Sequence, residues 1–410
     1  MPIVLALLAA LQAQSVDSAA SHDALREATT ACQQDAGALW GRSLCGPIAL
    51  VDRRTRQVIA NDTNPPRGAV FANTSVTWAG RSWAMVVLPL PTDRFDRVAL
   101  VMHEVFHREQ AALGLAGMDP PNNQLDQRDG RRWFRLELRA LAAALETDDR
   151  TARSHIEDAL SFRARRRALY PLADSLEPAL EMQEGLAEYT GDRIAMTLTG
   201  ETASRVARRV REFQSTPTYV RSFAYATGPA LGLLLDRFAV GWRDELARTP
   251  DPARILARRM RFQPPRDAER RARRYGVAAI DRDEAARDAA RRGPMRAYRK
   301  NLVDGPVLTL TQSSLNRNFD PQSLVGFDIM NTIYPTGVFS AAWGSLEVTS
   351  GGTLVANDFG RIQVGAPAAM PSPDARVIRG DGWVLTLGPE WSMVPAPGRS
   401  RSYVLRKGGP

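Results

Sequence analysis

Apolar and polar positions in the first part of the chain follow two different periods. Residues 17–40 repeat apolar side chains at helical spacing, which predicts a helix there. Short apolar runs separated by turn residues follow, and they predict two pairs of strands, residues 46–52 with 57–60 and residues 76–78 with 82–88. The N-terminal part is therefore predicted to combine a helix with a small sheet.

A helix is predicted next, from about Asp93 to Leu113, with Thr92 or Asp93 as its N-cap. Residues 98–106 in its interior are apolar nearly all round, which is typical of a buried helix. The helical period continues through the middle of the chain and predicts helices over 130–147, 150–169, 173–198, 201–214 and 222–247. An Arg-rich helical stretch is then predicted to end near Gly293-Pro294.

Beyond Asn301 the pattern changes to short β-rich runs with turn residues between them. These runs cover residues 306–311, 337–343, 352–356, 375–379, 382–387 and 402–405. The fold class predicted is therefore α+β. Residues 14–300 form the larger domain, with an α/β part over 14–91 and a helical part over 92–300, and residues 301–410 form a small all-β domain.

Composition is that of a globular protein, with 44% hydrophobic and 24% charged residues. The net charge of +9 is local, because residues 251–300 hold sixteen Arg or Lys against seven Asp or Glu. Aromatic residues are sparse there and no nucleic-acid motif accompanies the charge, so no nucleic-acid partner is expected. A solvated helical face is the preferred interpretation, and binding to an acidic surface is the alternative.

The first thirteen residues form a short apolar run that ends in small residues, typical of a signal peptide. They lack a positively charged start, so the alternative is the beginning of a buried helix. Export to the periplasm or medium is the prediction. Cys32 and Cys45 are the only cysteines, and they would pair in an exported protein or remain thiols in a reducing compartment. No later run is long and apolar enough to cross a membrane.

The residues His103-Glu104-Val105-Phe106-His107 carry the clearest chemistry. Residues four apart lie on the same face of a helix, so both imidazoles can bind one metal ion. Glu104 then lies close enough to a water on that metal to take its proton. This is the logic of the H-E-x-x-H zinc hydrolases, and such a catalytic site needs a third protein ligand.

The segment Gln183-Glu-Gly-Leu-Ala-Glu-Tyr189 resembles the N-E-G-F-A-x-Y segment of the aminopeptidase N-type gluzincins, relatives of thermolysin. The resemblance implies a zincin-like catalytic domain in which Glu184 is the third zinc ligand. Glu188 would orient a zinc-bound histidine, or alternatively be an exposed helix carboxylate. Tyr225-Ala-Thr-Gly228 is similar to the Y-E-K-G segment of the same enzymes, which implies that Tyr225 donates a hydrogen bond to the oxyanion.

The resemblance, which covers residues 93–240, therefore implies a zinc metallopeptidase acting on a peptide or protein. Zn²⁺ would polarise the scissile carbonyl and acidify its bound water, with Glu104 as general base. Residues 108–183 separate His107 from Glu184, a longer interval than in these families, and are interpreted as a helical insertion. The alternative is a catalytically silent relative that serves as a binding or structural module.

Overall fold

The computed structural model describes residues 18–67, 73–372 and 374–408. The signal peptide predicted at residues 1–13 lies outside this part of the chain. The described elements confirm the predicted α+β class: a small sheet near the N-terminus, a helical middle and all-β sheets near the C-terminus. None of the described helices combines the length and apolar character that a membrane crossing requires.

The chain divides into two compact units. One comprises the residues up to Ala116 together with Ala187–Glu201, and the other comprises Gly117–Leu186 and the chain from Thr202 onwards. The twelve C-terminal strands thus belong to the same unit as most of the helices. That residues 301–410 form a domain of their own stays a prediction.

The first unit is built on a four-stranded sheet. Its strands are β1 (Ile48–Val51), β2 (Val58–Ala60), β3 (Thr74–Trp78) and β4 (Arg81–Val87), in the order β2-β1-β4-β3. β1 and β4 run parallel, whereas β1–β2 and β3–β4 are antiparallel pairs. Successive side chains of a strand point to opposite faces. Ile48 and Leu50 accordingly join the core on one face, and Ala49 and Val51 join a smaller cluster on the other.

Helices α1 (Ser18–Asp35) and α2 (Arg94–Gln110) contribute to the larger of these two cores. α1 ends earlier than the predicted residue 40, because Ala36 and Gly37 take positive φ angles of 47° and 83° that no α-helix continues through. α2 begins after Asp93, whose carboxylate accepts a hydrogen bond from the backbone N–H of Asp96. Its interior is buried, as the apolar pattern predicted.

The helical run of residues 173–199 is continuous but not uniform. It consists of α5 (Ala173–Leu180), a π-turn (Glu181–Gly185) and α6 (Leu186–Thr199). In the π-turn the N–H of Leu186 donates to the carbonyl of Glu181, five residues back rather than four. The sequence pattern predicted the helix but not this change in its hydrogen bonding.

The other helices of the second unit are α3 (Arg128–Glu146), α4 (Asp149–Leu169), α7 (Ala203–Glu212), α8 (Ala224–Phe238), α9 (Pro252–Arg259), α10 (Ala268–Ala272) and α11 (Val277–Arg299). Two predicted helix ends were wrong. α8 ends at Phe238 rather than 247, because Gly241 adopts a left-handed φ of 75°. α11 continues through Gly293-Pro294 to Arg299. The exposed Pro294 removes one backbone hydrogen bond but does not end the helix.

Twelve strands form the C-terminal β region in two sheets. They are β5 (Val307–Thr311), β6 (Asn316–Asn318), β7 (Val325–Gly326), β8 (Asn331–Tyr334), β9 (Gly337–Ala341), β10 (Gly344–Val348), β11 (Thr353–Ala356), β12 (Arg361–Gly365), β13 (Val377–Gly380), β14 (Trp383–Leu387), β15 (Trp391–Pro395) and β16 (Tyr403–Lys407). Their orders are β13-β14-β10-β9-β6 and β15-β16-β5-β12-β11-β8-β7. Inward side chains of both sheets share one hydrophobic core, so the arrangement is a sandwich.

Candidate metal centre

Helix α2 places the two motif histidines side by side. Their ring centroids are 4.7 Å apart, and the two Nε2 atoms are separated by 3.0 Å. Glu104, next to His103, is only 4% exposed, and His103 is 3% exposed. The motif therefore lies inside the protein, in agreement with the apolar character of the helix that carries it.

The tautomer of His103 follows from its partner. Its Nδ1 lies 2.9 Å from Oε2 of Glu188, which belongs to α6 in the same unit. An ionised carboxylate only accepts hydrogen bonds, so Nδ1 carries the hydrogen and Nε2 carries a lone pair. Glu188 thus contacts His103 at the ring nitrogen opposite the one that faces His107, and its role toward a metal stays a prediction.

The tautomer of His107 is fixed by a residue that the sequence analysis did not identify. Its Nδ1 lies 2.9 Å from Oε1 of Gln110, whose amide nitrogen donates to the carbonyl of Leu115 at 3.1 Å. Because that second bond requires the amide nitrogen, the oxygen faces His107, and Nδ1 is again the donor. Gln110 is three residues after His107 on the same helix, but no motif marks a glutamine at that position.

In these tautomers both Nε2 atoms carry a lone pair, and they lie 3.0 Å apart, so one cation can be bound by both. Nitrogen ligands at zinc distances in a tetrahedral site are about 3.3 Å apart, close to this separation. His103, His107 and Glu184 each offer one ligand atom, and these three atoms lie within 4.8 Å of one another. Two imidazoles and a carboxylate form a donor set that zinc takes in catalytic sites, so these residues fit the metal.

Glu184 lies within the π-turn, and Tyr225 lies in the first turn of α8. The Tyr225 hydroxyl donates a hydrogen bond to Oε2 of Glu184 at 2.7 Å, and the tyrosine side chain is 38% exposed. A solvent-facing phenol beside a ligand carboxylate can orient that carboxylate and also reach a bound molecule.

A pair of glycines brings these two elements together. A Cβ added at Gly228 of α8 would overlap the backbone of Gly185 in the π-turn, and a Cβ at Gly185 would lie 3.1 Å from the Cα of Gly228. Only residues without a side chain allow this approach. The backbone contact therefore sets the position of Tyr225 relative to Glu184.

Each residue predicted for the site lies in or beside this arrangement. His103, His107 and Glu184 form the candidate ligand group, Glu104 adjoins His103, Glu188 contacts His103 and Tyr225 contacts Glu184. Besides Gln110, two residues here carry no sequence motif: Glu181 of the π-turn, and Thr227 of α8, whose hydroxyl donates to the Glu181 carboxylate at 2.6 Å.

The sequence matches no protein-family model, and no curated protein or solved structure is detectably similar to it.

Proposed function

We propose that this protein is a zinc-dependent peptidase-type hydrolase of the gluzincin kind, with a zincin-like catalytic region and a helical insertion. The observation that carries the proposal is the convergence of ligand atoms from His103, His107 and Glu184 within 4.8 Å, on a buried helix that also bears Glu104. Supporting it are the lone pairs of the two histidines, which face one another.

His103, His107 and Glu184 would hold a zinc ion, which would supply Lewis acidity toward the scissile carbonyl and a water molecule. Glu104 accepts a proton from the attacking water and delivers it to the leaving amine nitrogen. Tyr225, whose hydroxyl donates to Glu184, transfers that hydrogen bond to the oxyanion as it develops. Glu188 and Gln110 hold the two imidazoles in the tautomers that leave Nε2 for the metal.

The proposed substrate is a peptide or protein, and no nucleic acid is expected as a partner. We also propose that the protein is exported. The disulfide between Cys32 and Cys45, whose Cα atoms are 5.3 Å apart, supports export, because such bonds persist mainly in oxidising compartments.

Three proteins test the proposal: the wild type, Glu104→Gln and Glu184→Ala. We expect about one zinc per wild-type chain by elemental analysis, and cleavage of peptides in a mixed library read by mass spectrometry. Glu104→Gln should keep the zinc and lose hydrolysis, because it removes the base but no ligand. Glu184→Ala should lose the zinc. Full zinc occupancy in Glu184→Ala would refute the ligand assignment.

The alternative is a catalytically silent zincin-like protein that serves as a binding or structural module. It predicts that the wild type binds zinc through the same residues, yet leaves every peptide of the library intact. An intact base at position 104 favours the enzyme, because a metal site without turnover has no use for a buried carboxylate beside the ligands.

A further inference from the structure

Behind the π-turn lies a group of buried charges that the proposed chemistry does not use. We call it the buried Arg–Glu cluster: Glu137, Arg163, Arg166, Glu177 and Glu181, each at most 4% exposed at its side chain. Burying charges is costly, and an ion pair of this kind is often no more stabilising than apolar side chains of the same size. A cluster this large therefore calls for a role beyond stability.

The cluster is closed by paired hydrogen bonds. Arg163 donates to both carboxylate oxygens of Glu181, at 2.8 and 2.7 Å, and Arg166 donates to both oxygens of Glu177, at 2.7 and 2.9 Å. Glu137 joins the two arginines, accepting from Arg163 at 2.7 Å and from Arg166 at 2.5 Å. Bidentate pairs of this geometry fix orientation as well as distance.

The electrostatics of the cluster keep Arg163 charged. Burial alone would lower the pKa of the Arg163 guanidinium, but Glu137 and Glu181 outweigh it and hold that pKa well above its ordinary value. The guanidinium is thus a permanent anchor for Glu181.

Glu181 is the first residue of the π-turn, and its carboxylate is held from a second side. The Thr227 hydroxyl, on α8, donates to Oε1 of Glu181 at 2.6 Å. The Glu181 carbonyl also accepts the five-residue hydrogen bond from Leu186 that defines the turn. Both the side chain and the backbone of Glu181 are therefore fixed, and Glu184 lies three residues further along the same turn.

We propose that Arg163 and Thr227 act as positioning residues: by holding Glu181 they keep the helix in its π-turn and aim the Glu184 carboxylate at His103 and His107. This inference rests on the proposed metal site and deepens it. A π-turn has poorer hydrogen bonding than the α-helix on either side, so it persists only where its surroundings hold it. A relaxed turn would rotate Glu184 about the helix axis and away from the histidine nitrogens.

Thr227→Val tests the proposal with little risk to folding, because it replaces a hydroxyl by a methyl of similar size. Zinc affinity of the full chain is measured by competition with a chromogenic chelator. We expect Thr227→Val to weaken zinc binding by about 10- to 100-fold, the range typical of residues that orient metal ligands. Thr227→Ser restores the hydroxyl, and it should bind zinc within about twofold of the wild type.

Thr332→Val is the matched control. Thr332 lies on β8 in the second unit and is also fully buried. Its hydroxyl lies 3.0 Å from Oδ1 of Asn123 and 2.9 Å from Oδ1 of Asn357. Thr332→Val should leave zinc affinity unchanged, although we expect it to lower thermal stability about as much as Thr227→Val does. Equal zinc affinities of Thr227→Val and wild type, or equal weakening in both valine variants, would overturn the proposal.

Hydrogen exchange separates this inference from the proposed function. In metal-free protein, peptides covering residues 181–188 should exchange faster in Thr227→Val than in the wild type and in Thr332→Val. If the wild type binds no zinc, the proposed function fails, whereas faster exchange still confirms that Thr227 holds the turn. Unchanged exchange refutes the positioning role whatever the metal does.

Discussion

The acceptor behind each imidazole sets how strongly that histidine can bind a metal. His103 donates to a carboxylate, whereas His107 donates to a neutral amide. A hydrogen bond to a charged acceptor is roughly twice as strong as one to a neutral acceptor and makes the opposite ring nitrogen more basic. His103 is therefore the stronger of the two proposed ligands, and Glu188 makes it so.

Glu188→Gln tests this difference, since the amide oxygen still accepts the hydrogen bond but the charge is removed. We expect zinc affinity to fall by about tenfold, read by chelator competition, while the folded structure is retained by circular dichroism. Glu109→Gln is the control, because Glu109 has the same side-chain exposure of 15% and pairs with Arg42 and Arg108 rather than with a proposed ligand. Equal affinities in the two variants would contradict the role given to Glu188.

Local spacing explains which site residues the sequence could predict. His103, Glu104 and His107 lie within five positions of one helix, so helical geometry alone places them together. Glu184 and Tyr225 were identified only through resemblance, because no rule of spacing joins residues so far apart. Thr227 and Glu181 were missed because their contact depends on how α8 packs on the π-turn.

Among the secondary-structure elements, the contact between α8 and the π-turn is the one that places Tyr225. Gly228→Ala would insert a methyl group into the backbone of Gly185. Both residues lie in helical runs that cannot shift alone, so we expect a loss of about 1–3 kcal/mol in the free energy of unfolding, the usual cost of overpacking. Urea denaturation measures this loss.

Gly293→Ala is the opposing control for that substitution. Gly293 also lies within a helix, but apart from its chain neighbours and its own helix backbone nothing lies within 4 Å of a Cβ added there. Alanine loses less conformational freedom on folding, a gain of roughly 0.5–1 kcal/mol, but the ring of Pro294 crowds its Cβ, so we expect little net change in stability. A Gly228→Ala protein as stable as Gly293→Ala would show that the glycine contact is not tight.

Continuous apolar runs predicted strands, whereas a strand with buried residues only at alternate positions, such as β12 with Ile362 and Val364, was missed. All six C-terminal strands predicted from apolar runs are present, whereas β6, β7, β8, β10, β12 and β15 were missed. β10 follows β9 after a tight two-residue turn, at Ala342 and Trp343, and begins at Gly344, just after the predicted run of residues 337–343 ends. The π-turn was missed because a helix with one extra residue in a turn has the same composition as a regular helix.

Across the whole molecule, many of the arginines behind the +9 net charge are paired with carboxylates. Within the Arg-rich segment many guanidinium groups form ion pairs with carboxylates, namely those of Arg254, Arg258, Arg259, Arg270, Arg271, Arg274, Arg287, Arg291 and Arg292. Some of these carboxylates are buried, such as Asp126 and Asp158. The segment is thus partly a set of internal bridges, where the sequence had predicted a solvated face.

A chain held by so many arginine–carboxylate pairs should be sensitive to acid, and Glu177 shows the direction. Burial alone would raise its pKa, but Arg166 and Arg167, with Arg163, lower it from 4.5 to about 2. A carboxyl whose folded pKa lies below its unfolded value stabilises the fold above pH 4.5, and this stabilisation is lost as the pH falls towards 2. The loss from this one group is on the order of 3 kcal/mol.

Glu177→Gln should remove that part of the pH dependence. At neutral pH the variant should be less stable than the wild type by about 3–5 kcal/mol, because Arg166 stays buried with only one of its two carboxylate partners, Glu137. Between pH 5 and pH 2.5 its free energy of unfolding, measured by urea titration at each pH, should fall less than that of the wild type. Glu390→Gln, at a side chain 67% exposed, should follow the wild-type curve. Parallel curves for Glu177→Gln and the wild type would mean that the buried Arg–Glu cluster does not set the acid limit of the fold.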